Sequence, residues 1–96
     1  MTKTFNTVEE MGEYMVESKY DIACMIVDTL VENYPISEAI EIMQWVCLED
    51  DTDYSVTCSP EHVVETLEQN LDILVEVEDY KRCSAVKKIL DQEYGS

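Results

Sequence analysis

Glycine and proline are scarce in this chain, with two of each among 96 residues. That leaves little turn chemistry for a fold of many strands, so helices become the default. Basic side chains are scarce as well: 6 Lys and Arg stand against 22 Asp and Glu, a net charge of −16. His62 is the single histidine, so any histidine chemistry must run through it. The chain holds no Cys-x-x-Cys pair, no glycine-rich phosphate loop and no Ser-His-Asp candidate set. Its longest apolar run, Ile22 to Val27, is far too short to span a bilayer, and no secretory signal pattern opens it. These absences point away from an enzyme and away from a membrane.

What is present begins with an apolar fraction of 46%, enough for a folded domain despite the charge. The length fits one acidic helical domain over residues 1–96, near the small end of what buries an adequate core unaided. Cys24, Cys47, Cys58 and Cys83 are widely spaced. Without a secretory signal they read as reduced thiols in a cytoplasmic protein, and their even number leaves a disulfide framework as the alternative.

The charge sets the class of partner. A globule of this size is roughly 30 Å across, and duplex DNA carries about 18 charges over that length. The net charge of −16 is therefore of the same order as that of DNA. Self-repulsion at this density costs stability and steers encounters toward basic surfaces. Nucleic acid and anionic membrane are poor direct partners, whereas a protein with a basic, nucleic-acid-binding surface is a good one. The charge is also uneven. Residues 1–80 hold 20 acids against Lys3 and Lys19, while residues 81–96 hold four basic residues against Asp91 and Glu93.

The apolar periodicity predicts an all-α fold, a compact bundle of four to five short helices. Thr7 with Glu10 is a capping-box signature for a first helix from Val8. Asp21 is placed to cap a second over Ile22 to Asn33, ended by Tyr34-Pro35. Ser37 is placed to cap a third over Glu38 to Leu48, followed by an acidic loop, Glu49 to Ser55. Ser59-Pro60 opens a fourth, to about Val77. Asp79 is placed to cap a fifth, Tyr80 to Glu93.

On these wheels the acids form stripes. Glu61, Glu65, Glu68, Asp72 and Glu76 fall within about 80° of arc along roughly 22 Å of the fourth helix. No Lys or Arg interrupts them. Glu9, Glu10, Glu13 and Glu17 line the first helix opposite Val8, Met11 and Met15. On the third, Trp45 falls among Glu38, Glu41 and Glu49, as an aromatic interface anchor would. The bland alternatives are a solvated face for the stripes and ordinary packing for Trp45.

Other chemistry is thin. Cys58 and His62 have half of a zinc spacing, and the loop Glu49 to Ser55 has oxygens for calcium. With Asp51 counted first, the loop puts Val56 and His62 where an EF-hand needs Gly and Glu. No metal or cofactor is expected. The functional expectation is a non-enzymatic inhibitor that blocks a nucleic-acid-binding protein by nucleic-acid mimicry. By compositional analogy alone, small acidic bacteriophage proteins that block restriction or CRISPR enzymes share this profile. The alternative is a regulatory or adaptor module docking through an apolar groove of helices one to three. The nearly all-apolar second helix leaves a homodimer open.

Overall fold

The computed structural model describes residues 2–95. The chain runs β1 (Thr2–Phe5), α1 (Val8–Glu17), α2 (Lys19–Asn33), β2 (Ile40–Cys47) and β3 (Thr52–Cys58). A 3-10 turn over Pro60–His62 then leads into α3 (Val63–Glu76) and α4 (Tyr80–Tyr94). The expected all-α bundle is therefore overturned: the fold is mixed α/β, with four helices and a three-stranded sheet.

The sheet order is β1-β2-β3, with β1 parallel to β2 and β3 antiparallel to it. A parallel pair needs a long crossover, and α1 with α2 supplies it. The segment expected as a third helix is the central strand. Its local period misleads for a physical reason: a bulge between Glu41 and Met43 leaves Ile42 without a partner on β3. Ile42 and Met43 are then both buried, followed by Trp45 and Cys47. That pattern breaks strict alternation and imitates helical spacing. The expected acidic loop is the hairpin turn and β3, and Asp51 takes the left-handed conformation (φ 50°) that glycine usually fills.

The helices follow the sequence more closely. Thr7 Oγ1 accepts from the Glu10 amide at 3.1 Å, as the capping box requires. Ser18 alone separates α1 from α2, so Asp21 lies inside the first turn of α2 rather than capping it. The Ser59 hydroxyl pairs with His62 Nδ1 at 2.7 Å and does not cap. The α3 terminus is a Schellman-type ending: Asp79 N–H donates to Leu74 O, with Glu78 left-handed (φ 59°) in the usual glycine place.

Leu30, Val27, Leu67, Leu74 and Val86 are fully buried where α2, α3 and α4 pack together. The same cluster continues through Met43 and Cys47 of β2 to Phe5 of β1. Each such side chain contributes roughly 1.5–3 kcal/mol on burial. The extents are 47 × 30 × 17 Å and the radius of gyration is 14.5 Å. A sphere-like chain of this length would have a radius of gyration of about 12.5 Å, so the shape is an extended slab. No helix is long and apolar enough to cross a membrane.

Candidate functional site

The predicted acids lie on six different pieces of structure. Glu9, Glu13 and Glu17 are exposed on α1, and Glu65, Glu68, Asp72 and Glu76 are exposed on α3. Glu61 falls in the 3-10 turn before α3, off the helical wheel that grouped it with the others. Glu38 precedes β2, Glu41 lies on β2, and Glu49 belongs to the hairpin turn.

Two contacts relate three of these pieces, the hairpin turn, α1 and α3. The Val8 amide, one of the unpaired donors at the start of α1, donates to Glu49 Oε2 at 2.9 Å. A carboxylate is favoured there by the free N–H groups and the helix dipole. This bond sets the hairpin turn, with Glu49, Asp50 and Asp51, against the first turn of α1, with Glu9 and Glu10. Just beyond the far end of α1, Lys19 Nζ at the start of α2 reaches Glu76 of α3 at 3.8 Å. The pair is well exposed and worth little energetically, but it locates the α3 row beside the α1–α2 junction. A series of acids thus follows the hairpin turn, α1 and α3.

Local bonds orient part of the series. Tyr94 Oη donates to Glu68 at 2.9 Å, and Gln69 Nε2 donates to Glu65 at 3.4 Å. Burial pushes the Asp50 carboxyl up, yet hydrogen bonds from Tyr54, Cys47 and Thr52 outweigh it and hold it below its ordinary value. Between β1 and α1 runs a cleft of about 290 Å³ lined by Lys3, Glu10, Glu13 and Glu17. Lys3 Nζ sits 4.4 Å from the centre of the Tyr14 ring, a cation–π contact.

Trp45 does not join this surface. It is 6% exposed, on β2, with the Phe5 and Tyr14 ring centres each 6.1 Å away. The helical wheel put it among Glu38, Glu41 and Glu49. On a strand its side chain instead alternates inward, away from Glu41 and Gln44. Its indole Nε1 is buried without an acceptor. The ring is a core residue with an unmet donor, not an interface anchor.

The second acid–base network is structural. Arg82 grips Asp28 with Nε and Nη2, both at 2.9 Å, and Asp79 with Nη1 at 2.8 Å. Tyr20 Oη also donates to Asp79 at 2.8 Å. Arg82 and then Tyr20 hold the Asp79 carboxyl below the usual carboxylate range. This clamp ties α2 to the start of α4.

Cys58 and His62 each have other neighbours: Cys58 Sγ lies 3.8 Å from Thr66 Oγ1, and His62 pairs with Ser59. Among the described residues, no three His, Cys, Asp or Glu side chains gather as a metal-binding group. The apolar groove expected among helices one to three does not form, because the third of them is β2. A groove of about 470 Å³ runs instead between α2 and α4.

Sequence reasoning grouped Glu10 with Glu9, Glu13 and Glu17 on the first helix, but left Asp50 and Asp51 in a loop outside the series. Val, Thr and Tyr enrichment over Thr52–Cys58 was the available signal for the hairpin that places the last two. Comparison with protein-family models, curated proteins and solved structures finds no match.

Proposed function

We propose that this chain is a non-enzymatic, acidic inhibitor that binds a nucleic-acid-handling protein and occupies its phosphate-binding surface. The carrying observation is the acid series along the hairpin turn, α1 and α3, in which the α3 row contains no cation of its own. Carboxylates spaced along helices take the Lys and Arg contacts that phosphates would otherwise make. Affinity then comes from counterion release and long-range steering, as it does for nucleic acid. The α3 row carries about one charge per 5.6 Å, sparser than one DNA strand at about 3.4 Å, and the α1 acids supplement it.

The setting is cytoplasmic on this reading, and four free cysteines support it. The kind of target corresponds to the restriction or CRISPR enzymes blocked by small acidic phage proteins, a likeness of composition alone.

The test uses the whole chain immobilised in cytosolic extract. The captured proteins should bind DNA or RNA themselves and elute as salt rises from about 50 to about 200 mM, the range over which phosphate-like contacts fail. Duplex DNA should displace them, and Glu65→Lys with Glu68→Lys and Asp72→Lys should capture none. Capture that survives salt and this triple substitution overturns the proposal and favours an adaptor docking through apolar contacts.

A further inference from the structure

The structure leaves two surfaces unpartnered, and they are complementary. The first is on α1. Val8, Met15 and Val16 are exposed by 45%, 48% and 77%. With Gly12 they form a strip about 100° wide, bordered by Glu9 and Glu13. A glycine inside a helix costs roughly 0.5–1 kcal/mol relative to alanine. Nothing within this chain requires it, since a Cβ at Gly12 would meet no atom within 4 Å. A smooth point on an apolar ridge suits close approach by a helix from outside the chain.

The second surface is the groove of about 470 Å³ between α2 and α4. Val31, Tyr34, Ala85 and Ile89 give it an apolar lining, and Lys81 and Lys88 are the charged residues that line it. In a chain of 22 acids these lysines make no ion pair among the described residues, where the cations used are Lys19 and Arg82. The groove is therefore apolar with positive charge, and the α1 strip is apolar with a negative border.

We propose that α1 of one copy of this chain docks in the α2–α4 groove of a second copy. Gly12 crosses near Ala85, where both residues are small enough for the helices to approach closely. Glu9 and Glu13 then face Lys81 and Lys88. Reciprocal docking uses both surfaces of each copy and closes the pair, as a two-fold dimer requires. Two chains of −16 repel at long range. At about 0.15 M salt the screening length is about 8 Å, which suppresses that repulsion more than the contact pairs. The α3 row lies outside this contact, whereas Glu9 and Glu13 belong both to the contact and to the acid series. A docked pair would therefore leave inhibition to the α3 row and the hairpin turn.

Sedimentation equilibrium of the full chain at about 0.15 M salt tests it, with concentrations up to about 0.2 mM. The wild type should self-associate. Lys81→Glu with Lys88→Glu sets acids against acids, and Glu9→Lys with Glu13→Lys sets lysines against lysines. Each double variant should associate at least about tenfold more weakly than wild type. Mixed together, the two variants should associate with each other, because both docking contacts again pair opposite charges. Gly12→Leu should also weaken association at least about tenfold, while thermal unfolding shows the variant folded. A wild type that stays monomeric overturns the proposal. So does association untouched by these substitutions, or failure of the two charge variants to associate on mixing.

Discussion

The helices α3 and α4 do the same packing work with opposite outer surfaces. Both pack on α2 and on each other. The buried face of α3 is Val63, Leu67, Asn70 and Leu74, and that of α4 is Cys83, Val86 and Ile89. Outside, α3 carries Glu65, Glu68, Asp72 and Glu76 without a cation, whereas α4 carries Lys81, Lys87 and Lys88 beside the Arg82 clamp. Since apolar faces alone suffice to seat both helices, the sign of the outer charge is free of the fold. The difference locates the demands of folding on the inner faces and leaves the outer ones free for the proposed recognition.

Substitutions that break or sharpen this contrast rank by size. The largest effect belongs to the shared interior. Leu67→Ala should lose about 2–5 kcal/mol in urea unfolding, and Val86→Ala about 2 kcal/mol, because each leaves a cavity at a fully buried site. Next is the clamp. Arg82→Met should lower the melting temperature by about 4–8 °C, while Lys87→Met should shift it little.

The clamp also has a pH signature. Asp79 has a lowered folded value, so its contribution is complete above the ordinary carboxylate range and fades as pH falls through that lowered value. The stability gap between wild type and Arg82→Met should therefore narrow in acid. At the alkaline end, Tyr20 is pushed up to about 12, chiefly by its bond to Asp79 and then by Cys24. Its contribution should hold below about pH 10 and disappear as pH rises through that folded value. A gap that stays constant from neutral to acid pH would remove Asp79 from this account.

Neutralising the α3 row probes the outer surface. Glu65→Gln with Glu68→Gln and Asp72→Asn should stabilise the chain by about 0.5–1 kcal/mol, by removing like-charge neighbours at i,i+3 and i,i+4. The same triple should abolish target capture, separating recognition from stability. The smallest effect lies where the two helices join. Glu78→Gly should stabilise by about 0.5 kcal/mol, since glycine holds φ near 59° without a clash. An equal loss from that substitution would mean that Glu78 contributes contacts beyond its backbone shape.

Much of the helical part was legible because its signals are local. The Thr7 and Asp79 caps form as their sequences imply, with Asp79 accepting from the Arg82 amide at 3.3 Å. The helical period puts Val63, Val64, Leu67, Leu71, Leu74 and Val75 on one face of α3 and Cys83, Val86, Leu90 and Tyr94 on one face of α4. Val63, Leu67, Leu74, Cys83 and Val86 are buried, whereas Val75 and Tyr94 are exposed. The sheet was not legible in the same way. β2 contains residues that suit either a helix or a strand, its bulge hides the alternation, and the hairpin turn has Asp51 where glycine would have announced it. Four of the eleven expected acids, Glu38, Glu41, Glu49 and Glu61, therefore lie off the helices that grouped them. The α1 acids and Glu65, Glu68, Asp72 and Glu76 lie on their helices without Glu61, while the Trp45 patch dissolves because its ring points into the core.

The sequence by itself determined the acid excess, most of its rows on α1 and α3, the Thr7 and Asp79 caps, and the inward placement of Val63, Leu67 and Leu74 on α3 and of Cys83 and Val86 on α4. These depend on residue identity and on a period fixed by the helix. Tertiary structure decided that Ile40–Cys47 is a strand, because its partners come from Thr2–Phe5 and Thr52–Cys58, and pairing with the first is non-local. It also decided which acids meet, through one bond from Val8 to Glu49 across 41 residues. No local pattern encodes either outcome, since both depend on backbone groups brought together when the core closes.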